Sequence, residues 1–312
     1  MSMFQTLRFR LTSWQTVMTV IERLAFEFGP HRDLFQQLPE AWKNLDQKEA
    51  IPFAVVERIT PRRPPRLVAH GASVFVNDEF LERLKEAPFV AAQVTRDALS
   101  ANNGVLGLKD IREGQARGDL NLLLLHAQYL DAPTGAMGMA SVYEVLARSF
   151  FEHHRGYRVK QFLIEAFSGE AVAHHLASGL FVRANHTSPA ATPEAPWLLG
   201  VTREESAQNP GARIAPLFLE YPIRLGLRRV HREVLSLALL GMVDEEIANE
   251  LSLSHSAIKR RWESIYDLVD QNGADLVWGG RMQVSTVRGP ERRRHLLNYL
   301  REHPEEMRPF VE

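Results

Sequence analysis

Two hydrophobic periodicities divide the chain. Up to about residue 185, β-branched runs alternate with stretches whose apolar residues recur at helical spacing; from about residue 224 the helical spacing dominates. Residues 7–10 read as a short strand, and Trp14, Val17, Val20, Ile21, Leu24 and Ala25 mark one amphipathic helix in "SWQTVMTVIERLAFEF". "IPFAVVERI" and "RLVAHGASVFV" read as strands, parted by "TPRRPP", which no helix crosses. "DEFLERLKE" and "FVAAQVTRDALSA" read as helices, and "LNLLLLHAQYL" is a continuous apolar run suited to a strand buried on both faces. "SVYEVLARSFFEHHRG" is a helix ended by Gly156. "RVKQFLIEAF", "EAVAHHLASG" and "LFVRAN" then read strand, helix, strand.

The expected organisation is an α/β domain over residues 1–185, with a mixed sheet flanked by helices. A linker over 186–223 and an all-α domain over 224–312 follow. The linker expectation rests on "HTSPAATPEAPWLLGVTREESAQNPGARIAP", rich in Pro, Ala, Ser and Thr. Within the helical part, "QNGADLVWGGRMQVSTVRGP" reads as turn-rich. No internal repeat is present.

Composition narrows the chemistry. A length of 312 residues suits two cores, and 45% apolar with 24% charged residues suits a globular protein. Net charge is −1, so binding to a polyanion has to come from a local patch. There is no cysteine, which excludes disulfides, thiolate metal sites and a cysteine nucleophile, and fits a cytoplasmic location. The first residues lack the apolar core of a signal peptide, and the richest apolar stretches are too short to span a bilayer, so no membrane role is expected.

The local patch lies in "DEEIANELSLSHSAIKRR", residues 244–261. "RRVHREVLSLALLG" supplies a first amphipathic helix closed by Gly241. Asp244 is the expected N-cap of a short second helix, where the helix dipole favours Glu245 and Glu246. Ser252 and Leu253 form a turn, and Ser254 is the expected N-cap of a third helix. There Ile258, Trp262, Ile265 and Val269 make an apolar face, and Ser256, Lys259, Arg260 and Glu263 fall opposite it. A short helix, a tight turn and a second helix with a basic outer face describe a helix-turn-helix, whose second helix enters the major groove of duplex DNA. Arg224, Arg228, Arg229 and Arg232, with Arg288, Arg292, Arg293 and Arg294, are candidate phosphate contacts.

Across "REVLSLALLG", "EEIANELSLS" and "AIKRRWESIYDLV" the chain resembles the LuxR/GerE-type helix-turn-helix family over about 45 residues. That resemblance implies a transcriptional regulator with Lys259 at the DNA-contacting lysine and Arg260 and Arg261 on the groove side. It also implies a homodimer on DNA. The turn carries Ser252 where the family has Gly, and Ala257 stands where it has Thr.

The order of elements in the first domain, and its ending "GYRVKQFLIEAFSGEAVAHHLASGLFVR", resemble the GNAT-type acyltransferase fold. That resemblance makes acyl-CoA the candidate ligand, with Gly138 and Ala140 at the last two positions of the loop that cradles its pyrophosphate. Gly135 replaces the family's Gln or Arg, His175 stands where a tyrosine general acid is frequent, and residues 77–120 fill the place of a tight hairpin. The expected role is therefore ligand sensing or support, with catalytic acyl transfer as the alternative. No cofactor is demanded by the residues themselves. His153-His154, His174-His175, His70 and His126 lack metal-ligand spacing; His70 and His126 are expected to sit in strands with core hydrogen bonds. The leading expectation is a DNA-binding regulator controlled by a small-molecule effector. An acyltransferase with an accessory helical domain, or a helical module contacting RNA polymerase, are the other readings.

Overall fold

In the computed structural model, which describes residues 6–100, 102–130, 136–186, 195–279 and 289–308, the apolar runs of the first two thirds join one mixed sheet. β1 (Thr6–Thr12), β2 (Phe53–Ile59), β3 (Arg66–Val76) and β4 (Leu120–Tyr129) pair antiparallel in succession. β5 (Val159–Ala166) lies parallel to β4. β6 (Phe181–Asn185) forms the edge, and β7 (Trp197–Thr202) inserts antiparallel between it and β5.

Helices cover both faces. α1 (Trp14–Met18), a 3-10 helix over Ile21–Phe28, α2 (Arg32–Gln36) and α3 (Leu38–Gln47) join β1 to β2. α4 (Asp78–Glu86), α5 (Val90–Leu99) and α6 (Leu108–Arg117) occupy the long connection between β3 and β4. α7 (Ala136–His154) makes the crossover that a parallel pair requires. α8 (Gly169–Ala177) joins β5 to β6, and α9 (Arg203–Gln208) follows β7. Alternation along β2 sends Val55 to one core with Leu24, Phe28, Trp42, Leu123 and Leu163, and Val56 to another with Val68, Ala69 and Val142 of α7.

The stretch read as a linker contains β7, whose Leu198, Leu199 and Val201 are fully buried. Its six residues are bounded by Pro-rich sequence, and β5 and β6 supply the ladder on either side. This first unit consequently continues to Phe218, and a second comprises residues 155–157 and 219–312. The single helix read across residues 13–28 is broken, with α1 giving way to 3-10 winding. Thr19 Oγ1 donates to the Thr16 carbonyl at 2.8 Å, and Thr16, Val17, Thr19, Val20 and Ile21 crowd the junction with β-branched side chains.

The second unit contains α10 (Arg229–Leu239), α11 (Asp244–Glu250), α12 (His255–Asn272), α13 (Ala274–Trp278) and α14 (Gly289–Glu302). Val234, Leu235, Ala238, Ile247, Ile258, Trp262, Ile265 and Val269 close its core. Ser254 caps α12, its hydroxyl accepting the Ala257 N–H at 3.2 Å. Ser252 has φ +53, a left-handed conformation that costs a non-glycine residue about 1 kcal/mol.

Asp244 is not the cap of α11; it is the first helical residue, and Val243 precedes it as N-cap. The Asp244 carboxylate instead accepts from Trp262 Nε1 at 3.0 Å and from Arg293 at 2.6 Å. Glu246 accepts the Val243 N–H in its place, at 2.8 Å. The turn-rich stretch contributes α13, and residues 280–288, Arg288 among them, lie outside the described residues.

Candidate functional site

β4 and β5 pair only as far as Leu124 and Ile164, although β4 continues to Tyr129. At the same point β4 is bulged: Ala72 faces His126 and Ser73 faces Leu124, leaving Leu125 as an extra residue. The sheet therefore opens between the two strands. A cavity of about 940 Å³ occupies the opening. Phe26 and Glu27 line it from the 3-10 helix, whose Leu24 and Phe28 belong to the first core. Tyr143, Leu146 and Phe150 line it from α7, which packs on the opposite face. The cavity thus reaches both sides of the sheet, between walls contributed by Leu125, Phe162, Ile164 and Ala166.

Ionisable groups are built into these walls. Glu27 is 5% exposed; it accepts from Gln128 Nε2 at 2.5 Å and hydrogen-bonds His126 Nδ1. Glu165 accepts the N–H groups of Phe89 and Val90 at 2.7 and 2.6 Å, which caps α5. Burial pushes its carboxyl up to about 8, outweighing those two donors. Phe89 has φ +68, and its ring occupies the space beside Gly29, where a Cβ would lie 2.2 Å away. Gly29 itself has φ +51, so glycine is required on both counts.

Ser73 Oγ lies 2.8 Å from His154 Nε2, and His154 Nδ1 lies 2.7 Å from the Phe150 carbonyl. On α8, burial and the neighbouring His174 push His175 down to about 4. His175 is therefore neutral near pH 7 and holds no imidazolium proton for the acid role suggested by its position. The pyrophosphate-loop candidates Gly138 and Ala140 fall within the opening turns of α7. Gly135 and the rest of residues 131–135 lie outside the described residues.

His70 and His126 do come together, with ring centroids 6.0 Å apart, but they are satisfied unequally. His126 Nδ1 is bonded to Glu27, whereas neither nitrogen of His70 has a hydrogen-bond partner among the described residues. Burial, with a smaller contribution from His126, pushes His70 down to about 3. No group of three His, Cys, Asp or Glu placed to hold a metal ion occurs among the described residues.

In the second unit, Lys259, Arg260 and Glu263 are exposed on the side of α12 opposite Ile258 and Trp262. Neither Lys259 nor Arg260 forms an ion pair among the described residues; Arg260 Nε reaches only the Ser256 carbonyl, at 3.4 Å. Ser256 Oγ lies 3.0 Å from Ser254 Oγ, and Arg228 is exposed ahead of α10. Several other expected contacts are internal instead. Arg261 turns back to Glu233 at 3.1 Å and to the Val230 carbonyl at 3.3 Å. Arg229 also pairs with Glu233, at 3.0 Å. Arg232 is buried and donates to the Leu227 carbonyl at 2.5 Å. Arg292 grips Asp270 with both distances below 2.8 Å and stacks against Tyr266 and Trp278, while Arg293 lies over Trp262. Sequence spacing could not distinguish Arg261, Arg292 and Arg293 from free arginines, because their partners lie on other helices. Arg224 and Arg294 remain exposed.

No protein-family model and no curated protein matches the sequence. Among solved structures, FeeM, an N-acyl amino acid synthase from uncultured soil microbes, is 8% identical, with 69% of this chain and 98% of that chain covered and a TM-score of 0.37. The aminoglycoside acetyltransferase AAC(6')-Ib, in complex with paromomycin and acetyl-CoA, is 12% identical over 65% of this chain and 97% of that one, with a TM-score of 0.35. A probable acetyltransferase from Staphylococcus epidermidis is 10% identical over 63% and 99%, at 0.36. Scores this low leave the architecture to be read from the sheet itself. Among the described residues no helix is long and apolar enough to cross a membrane.

His70, without a hydrogen-bond partner among the described residues, gives a stability prediction. Its folded value lies below that of a free imidazole, so its contribution is intact above pH 6.5 and is lost as pH falls toward about 3, unfolding being accompanied by proton uptake. His70→Leu removes an unsatisfied buried group worth about 1–3 kcal/mol. Urea titrations are expected to show an unchanged or higher midpoint at pH 7.5 and a shallower decline between pH 7 and 5. A decline as steep as that of the parent protein contradicts this assignment.

Proposed function

We propose that the first unit is a GNAT-type acyltransferase domain that takes its acyl group from acyl-CoA. The supporting observation is the opening between the parallel strands β4 and β5, bulged at Leu125 and continuous with an apolar cavity. A volume near 940 Å³ is at the upper end of the range of about 300–1,000 Å³ typical of small-molecule sites, which favours a donor chain longer than acetyl. The N-terminal turns of α7, with Gly138 and Ala140, would hold the donor's pyrophosphate by backbone N–H groups. Glu27, anchored by His126 and Gln128, is the group assigned to take a proton from the acceptor's nucleophile as it attacks the thioester. The sequence alone favours a sensing domain; the buried Glu27 cluster favours catalysis.

Calorimetry with an acyl-CoA series tests this reading. Decanoyl-CoA is expected to bind at least about tenfold more tightly than acetyl-CoA, since two buried methylenes already supply about 1.6 kcal/mol. Glu27→Gln is expected to keep that affinity and lose about a hundredfold or more in turnover with an amine acceptor. Absence of acyl-CoA binding eliminates the reading.

A second activity, binding of duplex DNA, is supported by the free cations of α12. Lys259 and Arg260 stand exposed and, among the described residues, unpaired by acids behind the Ser254 cap, which suits an approach to base edges with Arg228 on a phosphate. The small-molecule effector would then be the cavity's ligand, and paired half-sites would call for a homodimer. Contact with RNA polymerase is the competing use of the same face. In a gel-shift with selected duplexes, Lys259→Ala with Arg260→Ala is expected to weaken binding at least about tenfold and to reduce the salt slope by about 2. Unchanged affinity and slope remove these residues from any DNA interface.

A further inference from the structure

The acyl-transfer reading makes no use of Ser73 and His154, which both line the cavity. They are 4% and 3% exposed and come from β3 and the last residue of α7, 81 positions apart in the chain. Their hydrogen bonding has a direction. A carbonyl only accepts, so at 2.7 Å from the Phe150 carbonyl His154 Nδ1 must carry a hydrogen. In the neutral ring this leaves Nε2 with a lone pair, and the Ser73 hydroxyl, 2.8 Å away, donates to it. A nucleophile bonded to a base, with the base oriented by a third group, is the arrangement that activates serine. Leu124, opposite Ser73 across the ladder, is also the last β4 residue paired with β5, so the hydroxyl lies beside the start of the opening.

We propose that Ser73 is an acyl-accepting nucleophile with His154 as its general base, acting on apolar acyl esters or thioesters that enter the cavity. Ser73 Oγ attacks the acyl carbonyl carbon while His154 Nε2 takes the hydroxyl proton. The carbonyl carbon's bond to the leaving sulfur or oxygen then breaks, and the departing thiolate or alkoxide receives that proton. The product is an acyl-Ser73 ester and a free thiol or alcohol. Water, deprotonated by the same nitrogen, then attacks the ester, releasing the carboxylic acid and restoring the Ser73 hydroxyl. No redox partner is needed.

The inference shares its cavity with the acyltransferase reading but not its acceptor, and one labelling experiment separates them. The full-length chain is incubated with a decyl fluorophosphonate, which loses fluoride on attack by an activated serine, and the modified peptide is located by mass spectrometry. The expected result is one phosphonyl adduct on Ser73, absent in Ser73→Ala and formed at least about a hundredfold more slowly in His154→Gln. Parent protein left unlabelled at Ser73, or labelling as fast in His154→Gln, overturns the proposal. Acyl-CoA calorimetry on Ser73→Ala keeps the two readings apart. A labelled Ser73 without acyl-CoA binding supports the dyad and removes the transferase; binding without labelling does the reverse.

Discussion

The end of backbone pairing between β4 and β5 at Leu124 and Ile164 is the constraint on which the first unit depends. A parallel pair normally continues until one strand ends, yet β4 runs on to Tyr129 with β3 as its partner. The extra residue Leu125 increases the local twist and turns β4 away from β5. The gap gives access to both faces of a sheet that would otherwise be closed. Everything placed around it follows, including Glu27, Glu165, Ser73 and His154. Glu27, Ser73 and His154 are buried polar side chains, held at a cost in desolvation, and the gap is where a ligand can meet them.

Glu27 is held by two side chains that β4 supplies beyond its bulge, and Glu165, its carboxyl pushed up by burial, closes the first turn of α5. Next to Glu165, Phe89 takes a left-handed conformation that bulky residues rarely adopt. Gly29 makes room for its ring. Strain of this kind persists where surrounding contacts over-determine the geometry, and such sites cluster around ligands. In the second unit the corresponding device is a set of arginines spent on internal contacts. Arg292 and Arg293 fasten α14 to aromatic and acidic groups of α12 and its neighbours, which leaves Lys259 and Arg260 as the outward cations of that helix.

What could be read from sequence was local. The Ser254 cap, the left-handed turn at Ser252 and the apolar stripe of α12 each depend on residues within one or two turns, and their spacing displays them. The α/β character of the first part was equally plain from its alternating runs. β7 was not legible, because it is short, set in Pro-rich surroundings and made a strand by partners that precede it. The site was hidden for the same reason. Glu27 meets His126 across 99 positions and Ser73 meets His154 across 81, so no window of sequence contains either pair. The free and the engaged arginines looked alike, since Arg293 is separated by 49 positions from the Asp244 that holds it.

Hydrogen exchange along β4 and β5, followed with and without decanoyl-CoA, asks whether the opened sheet is where a ligand lies. Slower exchange in peptides covering residues 125–129 and 164–168, with little change along α4 and α6, is the predicted result. Protection confined to other elements, with those two segments unaffected under saturating ligand, would contradict it.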